Sequence, residues 1–289
     1  MRMKKFTSIL LCTMVIFLIG CYKEEDLNIP ERSQDMDLSD PIDLHIYNTF
    51  LKPYNVIIRY NYVDRYVESD KRVTPSKREH VIPMVNFLND FWVQPFVTVP
   101  NGKRFFEDHV PPELVFIGSS IYNTDGTITL GTADAGVRIT LTEVNLFDTN
   151  NNAWVEQQLG TLYHEFAHIM HQRYKLPTNW ESISPNGYTS SGSWYNLSDE
   201  EALQRGFVSP YATSSFNEDY AEMVAYLLFY PNFHQYFLTD EPNCTTVNCE
   251  RRNEGRARLR AKYTSVMTHF SQRVKVDLEL VRANIQAKL

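Results

Sequence analysis

The sequence predicts an α+β domain in which a small mixed sheet leads into one long helix and then a helical C-terminal part. Three observations carry this prediction. Strand-like runs with period-two alternation are confined to the first half; one long amphipathic run covers Trp154 to Tyr174; beyond Ser198 the apolar spacings are helical. With 289 residues, 43% of them hydrophobic and 13% aromatic, the chain can bury a large core. Its formal charge of -7 and its lack of any extended basic run argue against a nucleic-acid partner.

The N-terminus is expected to be a leader. Arg2, Lys4 and Lys5 precede an apolar stretch from Phe6 to Ile19 that is too short for a membrane-spanning helix. It closes in Leu18-Ile19-Gly20-Cys21, which resembles a bacterial lipobox; that resemblance implies cleavage before Cys21 and lipidation of its thiol. Loss of residues 1–20 removes three positive charges and no acids, leaving -10. The following Tyr22-Lys23-Glu24-Glu25-Asp26 resembles the surface-export signal of Bacteroidetes lipoproteins, and an acidic solvated tether fits it as well. The expected organisation is a signal peptide over 1–20, a flexible acidic tether over 21–39 and one domain over 40–289.

The domain opens with Asp40-Pro41, an N-cap followed by proline at the first helical position, and a helix to Leu51. Asn55 to Val63 is β-rich and reads as a strand, and the charged run from Asp64 to Arg78 as a loop. Val81, Val85, Leu88 and Trp92 give a helix from Glu79 to Val93 in which Pro83 must kink the chain or mark the first turn. Glu113 to Ser119 reads as a buried strand. Ile128 and Leu130, then Val137, Ile139 and Leu141, alternate with polar residues as half-buried strands do. Lys175 to Leu197 is a long polar loop, a kind usually functional or disordered. Ser198-Asp199-Glu200-Glu201 has the form of a capping box. A helix from Ser215 to Phe229 follows, stopped by Pro231, and two more close the chain.

Of the four cysteines, Cys12 lies in the leader and Cys21 at the lipobox. Cys244 and Cys249 share a short loop outside the cytoplasm on this reading, where an oxidising milieu favours a local disulfide.

The chemistry is concentrated in His164-Glu165-Phe166-Ala167-His168. On a helix, residues four apart share a face, so two imidazoles can meet one metal ion with Glu165 beside them as general base. Leu159, Leu162, Phe166, Ile169 and Met170 fall in one sector; His164, His168 and His171 fall in the opposite one. His171 lies about 10 Å along the axis from His164, too far to share one ion with both histidines, and is read as supporting a ligand or lining the cleft.

A catalytic zinc takes three protein ligands and keeps one position open. Asn217-Glu218-Asp219-Tyr220-Ala221-Glu222 supplies the third, with Glu218 and Glu222 on one helical face and either carboxylate chemically able to ligate. The pattern is similar to that of gluzincin metallopeptidases, which implies Glu218 as ligand and Glu222 as the group orienting a ligating histidine. Tyr211, seven residues before Glu218, resembles the oxyanion-donating tyrosine of the anthrax-lethal-factor-like branch.

Together the lipobox, the run from Ile128 to Ala133, the motif helix and the block from Tyr211 to Glu222 resemble the Bacteroidetes family of zinc-binding metallopeptidase lipoproteins. The resemblance implies a zincin-like fold, a Zn2+ cofactor, a peptide or protein substrate and a lipid anchor in the outer membrane, at the cell surface or on the periplasmic face. It also implies service to a TonB-dependent transporter in nutrient uptake. A non-catalytic binding lipoprotein with a structural zinc is the alternative, and hydrolysis of a non-peptide bond a third reading. An edge strand near Val137 to Val144 is expected to hold an extended peptide.

Overall fold

The computed structural model describes residues 36–289 apart from 64, 65, 68, 123, 125–127, 130, 135 and 191. The leader, Cys21 and the tether as far as residue 35 lie outside the described residues. Among the described residues no helix is long and apolar enough to cross a membrane.

Helix α1 (Pro41–Ile46) is capped by Asp40, whose carboxylate accepts the Ile42 N–H at 2.9 Å. It continues through a π-helical turn (Tyr47–Leu51) and ends at Tyr54, just before Asn55 in the left-handed conformation. The strand expected over Asn55 to Val63 shrinks to β1 (Ile57–Arg59). Helix α2 (Arg78–Leu88) continues through Pro83, which sits past its first turn. The bond that proline removes would have gone to Glu79, an exposed first-turn residue whose carbonyl water can reach. A π-helical turn (Asn89–Val93) and a short helix (Gln94–Val97) extend it. Helix α3 (Gly102–His109) was not expected from the pattern.

The sheet is mixed, as expected, but the half-burial read from the alternation fails over Arg138–Leu141, where Thr140 is buried along with Ile139 and Leu141 because the strand is central. β2 (Glu113–Phe116) pairs in parallel with β1 and with β6 (Arg138–Leu141), and β6 pairs antiparallel with β5 (Gly131–Asp134), giving the order β1-β2-β6-β5. A second, two-stranded sheet joins β3 (Ile121–Tyr122) to β4 (Ile128–Thr129). Glu113 ties three strands together, its two oxygens 3.3 Å from Arg59 Nε and 2.9 Å from Arg138 Nε. The placement of β6 corrects the expected peptide-holding edge: Arg138–Leu141 is paired on both sides, and the edge next to the motif helix is β5. At Gly131 a Cβ would sit 2.2 Å from the Thr161 methyl, so glycine is what lets β5 lie against that helix.

Helix α4 (Asn152–Tyr174) is the motif helix, its N-terminal amides held by the Asn151 side chain. Phe166 anchors it, meeting Trp92 and Phe96 edge-on at 5.4 Å each. The stripe Leu159, Leu162, Phe166, Ile169 and Met170 is buried as its spacing requires.

The run from Lys175 to Leu197 is more ordered than expected. It contains a short helix α5 (Trp180–Ile183), and the fully buried Trp180 donates its indole N–H to the Phe216 carbonyl at 3.1 Å. Helix α6 (Asp199–Arg205) opens on the complete capping box of Ser198 and Glu201 and ends at Gly206, φ 88°. Helix α7 (Phe216–Phe229) packs along α4 in the most extensive helix pair of the described chain. Helix α8 (Val247–His269) and α9 (Leu278–Gln286) close the fold. Cys249 lies in the first turn of α8 and is bonded to Cys244, with 5.4 Å between the two Cα atoms.

Candidate metal centre

Two helices meet at the centre. From α4 come His164 and His168, one turn apart, and from the first turn of α7 comes Glu218. His164 Nε2 lies 3.0 Å from His168 Nε2 and 3.0 Å from Glu218 Oε2, and His168 Nε2 lies 3.2 Å from the same oxygen. Among the described residues these three form the group of His, Cys, Asp and Glu side chains able to hold a metal ion.

The rest of the hydrogen bonding decides what those atoms are. Glu222 Oε1 lies 2.7 Å from His164 Nδ1, and a carboxylate there can only accept, so Nδ1 carries a proton and Nε2 is the nitrogen left to face an ion. His168 Nδ1 lies 2.9 Å from His171 Nε2. Burial and the neighbouring His168 depress the His171 pKa to about 4, so His171 is a neutral imidazole with one ring nitrogen able to accept. With His168 Nε2 turned to an ion, its Nδ1–H has His171 Nε2 as acceptor. Two imidazole nitrogens and a carboxylate oxygen thus converge on one point, where a cation can replace the protons that otherwise hold them together. Tetrahedral zinc with ligands at about 2.0–2.1 Å needs donors about 3.3 Å apart. The observed triangle is within a few tenths of an ångström of that, and the donor set fits zinc.

The division of labour between the two glutamates, open on spacing alone, follows from which nitrogen each one faces. Glu218 faces both Nε2 atoms, whereas Glu222 binds the far side of the His164 ring and is itself held by the Ser209 hydroxyl, which donates to Oε2 at 2.5 Å. Local preference makes the position of Glu218 more telling. Ser215 caps α7 through the Glu218 N–H at 3.2 Å, so Glu218 sits where a capping-box glutamate folds back onto the cap. In Ser198–Glu201 that return bond is made, at 2.9 Å. The Glu218 carboxylate turns to the imidazoles instead.

Electrostatics agree with the geometry. Burial opposes charge on the Glu218 carboxylate, but His164 and His168 hold it far below the ordinary range. Burial likewise disfavours a charged His164, yet Glu218 and Glu222 push its pKa up to about 10. The pocket favours net positive charge between these groups, as a dication would supply. Burial raises the Glu165 pKa against the pull of His164 and His168. Tyr211 is hydrogen bonded to Glu218, with its ring 5.8 Å from that of His164, and burial raises its phenol well above the ordinary value. It begins a 3-10 turn (Tyr211–Ser214) and is 37% exposed, so it borders the open side of the centre.

His164, Glu165, His168, His171, Tyr211, Glu218 and Glu222 are therefore all brought to one place. Cys244 and Cys249 form a separate staple. Ser209 was not singled out from the sequence, because a lone serine before a proline carries no pattern that marks it.

The family model described as "putative zinc-binding metallo-peptidase" matches residues 36–279. A crystal structure of a putative zinc-binding metallo-peptidase from Bacteroides caccae is similar, with a TM-score of 0.69 and 29% identity over 85% of this chain and 90% of that one. No curated protein matches this chain. Matched over most of its length, with an α+β fold shared with that solved structure, the chain belongs to the family described as putative zinc-binding metallo-peptidases.

Proposed function

We propose that the chain is a zinc-dependent peptidase of gluzincin type, with His164, His168 and Glu218 as ligands. The observation that carries this reading is the convergence of two imidazole nitrogens and a carboxylate oxygen beside a carboxylate, Glu165, that takes no part in the triangle. A purely structural site has no use for such a group and is usually closed by a fourth protein ligand.

Zinc held there supplies Lewis acidity, acidifying water and polarising a carbonyl oxygen. Glu165 takes the proton of the attacking water and hands it to the leaving amine; burial, which raises its pKa, brings it nearer the working pH for both transfers. Tyr211 keeps its proton at any physiological pH and donates to the developing oxyanion, as in the lethal-factor-like branch. Glu222 and His171 hold the Nδ1–H atoms of the two ligating histidines, which fixes their ring orientation. The outer side of β5, paired with no other strand among the described residues, offers main-chain groups along which an extended peptide can add as a further strand.

Anchoring through a lipid on Cys21, exposure at the cell surface and service to a TonB-dependent uptake complex belong to the same proposal and rest on the leader sequence and the family resemblance. Zinc content and cleavage of a mixed peptide library by the purified protein and its Glu165→Gln variant test the enzyme reading. Zinc retained by both with cleavage lost in the variant, by about 10² to 10⁴-fold, supports it; cleavage by neither leaves a binding lipoprotein. Labelled palmitate entering the wild type but not Cys21→Ser, and protease sensitivity on intact cells, test the anchor and its face.

A further inference from the structure

Behind the metal centre lies a second ionic group. Lys262 of α8 is 0% exposed and Asp219 of α7 is 1% exposed. Lys262 Nζ donates to Asp219 Oδ1 at 2.8 Å and to the Gly206 carbonyl at 2.7 Å, and it lies 3.7 Å from the centre of the Phe207 ring. The other oxygen of Asp219 accepts from the Tyr188 hydroxyl at 2.7 Å.

Burying two charges is a poor way to gain stability, since the cost of desolvation often exceeds their attraction. The pair does have a particular position. Asp219 follows Glu218 directly, so it points about 100° further round the helix. Glu218 and Glu222 face α4 while Asp219 faces α8, which fixes the rotation of α7 about its own axis. The same ammonium grips the Gly206 carbonyl at the end of α6, where the chain departs towards Ser209 and Tyr211. One cation thus joins the two segments that deliver Glu218 and Glu222 on one side and Ser209 and Tyr211 on the other.

We propose that Lys262 and Asp219 are positioning residues for the metal centre, holding α7 and the segment after Gly206 in the register that brings Glu218 onto the two Nε2 atoms. This rests on the reading of His164, His168 and Glu218 as a metal centre. The pair touches neither the ligand atoms nor the space above them, and its effect passes through the helix.

Lys262→Met alone strands a buried carboxylate and can unfold the protein, so the informative variant is Asp219→Asn/Lys262→Met. It removes both charges, leaves an amide oxygen for Tyr188 and cuts the link between α7 and α8. Three quantities are compared with wild type: the melting temperature, the zinc dissociation constant by competition with a chromophoric chelator, and a metal-free crystal structure. The double variant is expected to keep a cooperative transition, to bind zinc about tenfold or more weakly, and to show Glu218 Oε2 drawn away from the imidazoles. A merely structural pair moves only the melting temperature; zinc affinity within twofold of wild type, or the 3.0 Å and 3.2 Å separations kept in the variant's crystal structure, overturns the proposal. If the wild type binds no zinc, the metal reading fails, and the metal-free separations still decide the role of the pair.

Discussion

The two glutamates of α7 make a sharp test, because the structure gives them different tasks on the same ring. Glu222 binds His164 Nδ1 at 2.7 Å, and Glu218 approaches Nε2 of the same imidazole at 3.0 Å. A carboxylate bonded at Nδ1 lies across the ring from any ion on Nε2, so Glu222→Ala leaves three ligands in place. What it loses is the charge that fixes the ring and raises its basicity; losses of that kind cost about 10 to 100-fold in metal affinity, or about 1.4–2.8 kcal/mol. Glu222→Gln can still accept from Nδ1 through its amide oxygen and should fall between wild type and alanine. Glu218→Ala removes a ligand outright and must fall below both. The assay is zinc affinity by chelator competition, with circular dichroism to show that each variant is folded. If Glu222→Ala binds zinc more weakly than Glu218→Ala, the reasoning from ring geometry is wrong and the ligand is Glu222.

Three further outcomes follow from other parts of the structure. Tyr211→Phe should lower kcat by about 10² to 10³-fold at saturating zinc, read by steady-state kinetics on any peptide that the wild type cleaves. Glu241 is held down to about 2 by its bonds to Arg252 and Arg256. A depressed carboxylate stabilises the fold above its unfolded value of 4.5 and loses that contribution as the pH falls towards 2. Because its side chain is 35% exposed, the gain is at most about 1 kcal/mol. Denaturation midpoints should therefore fall more steeply between pH 4.5 and pH 2 in wild type than in Glu241→Gln, and parallel curves would exclude the role. Cys244 and Cys249 close a loop with a sequence separation of 5, for which loop entropy gives about 2 kcal/mol; urea denaturation with and without dithiothreitol should differ by no more than that.

Much of the centre is legible in the sequence because helical geometry is local. Once Leu159 to Met170 is read as a stripe, the opposite placement of His164, His168 and His171 follows from 100° per residue. Strand neighbours are not local: Arg138–Leu141 reads equally well as an edge or a central strand, and only the parallel pairing with β2 puts it inside. Helix α3 escaped for another reason, since its only apolar side chains are the adjacent Phe105 and Phe106, too few to show a period. Lys262 was invisible among the charged residues of α8, where a buried lysine and an exposed one look alike in one dimension. The instructive residue is Glu218. Ser215 and Glu218 have the spacing of a capping box, as Ser198 and Glu201 do, and propensity alone predicts the same closed cap at both. One box closes and the other is left half made. The difference lies in two imidazoles from a helix some fifty positions earlier in the chain, so the local signal is overruled at the position where the chemistry needs a free carboxylate.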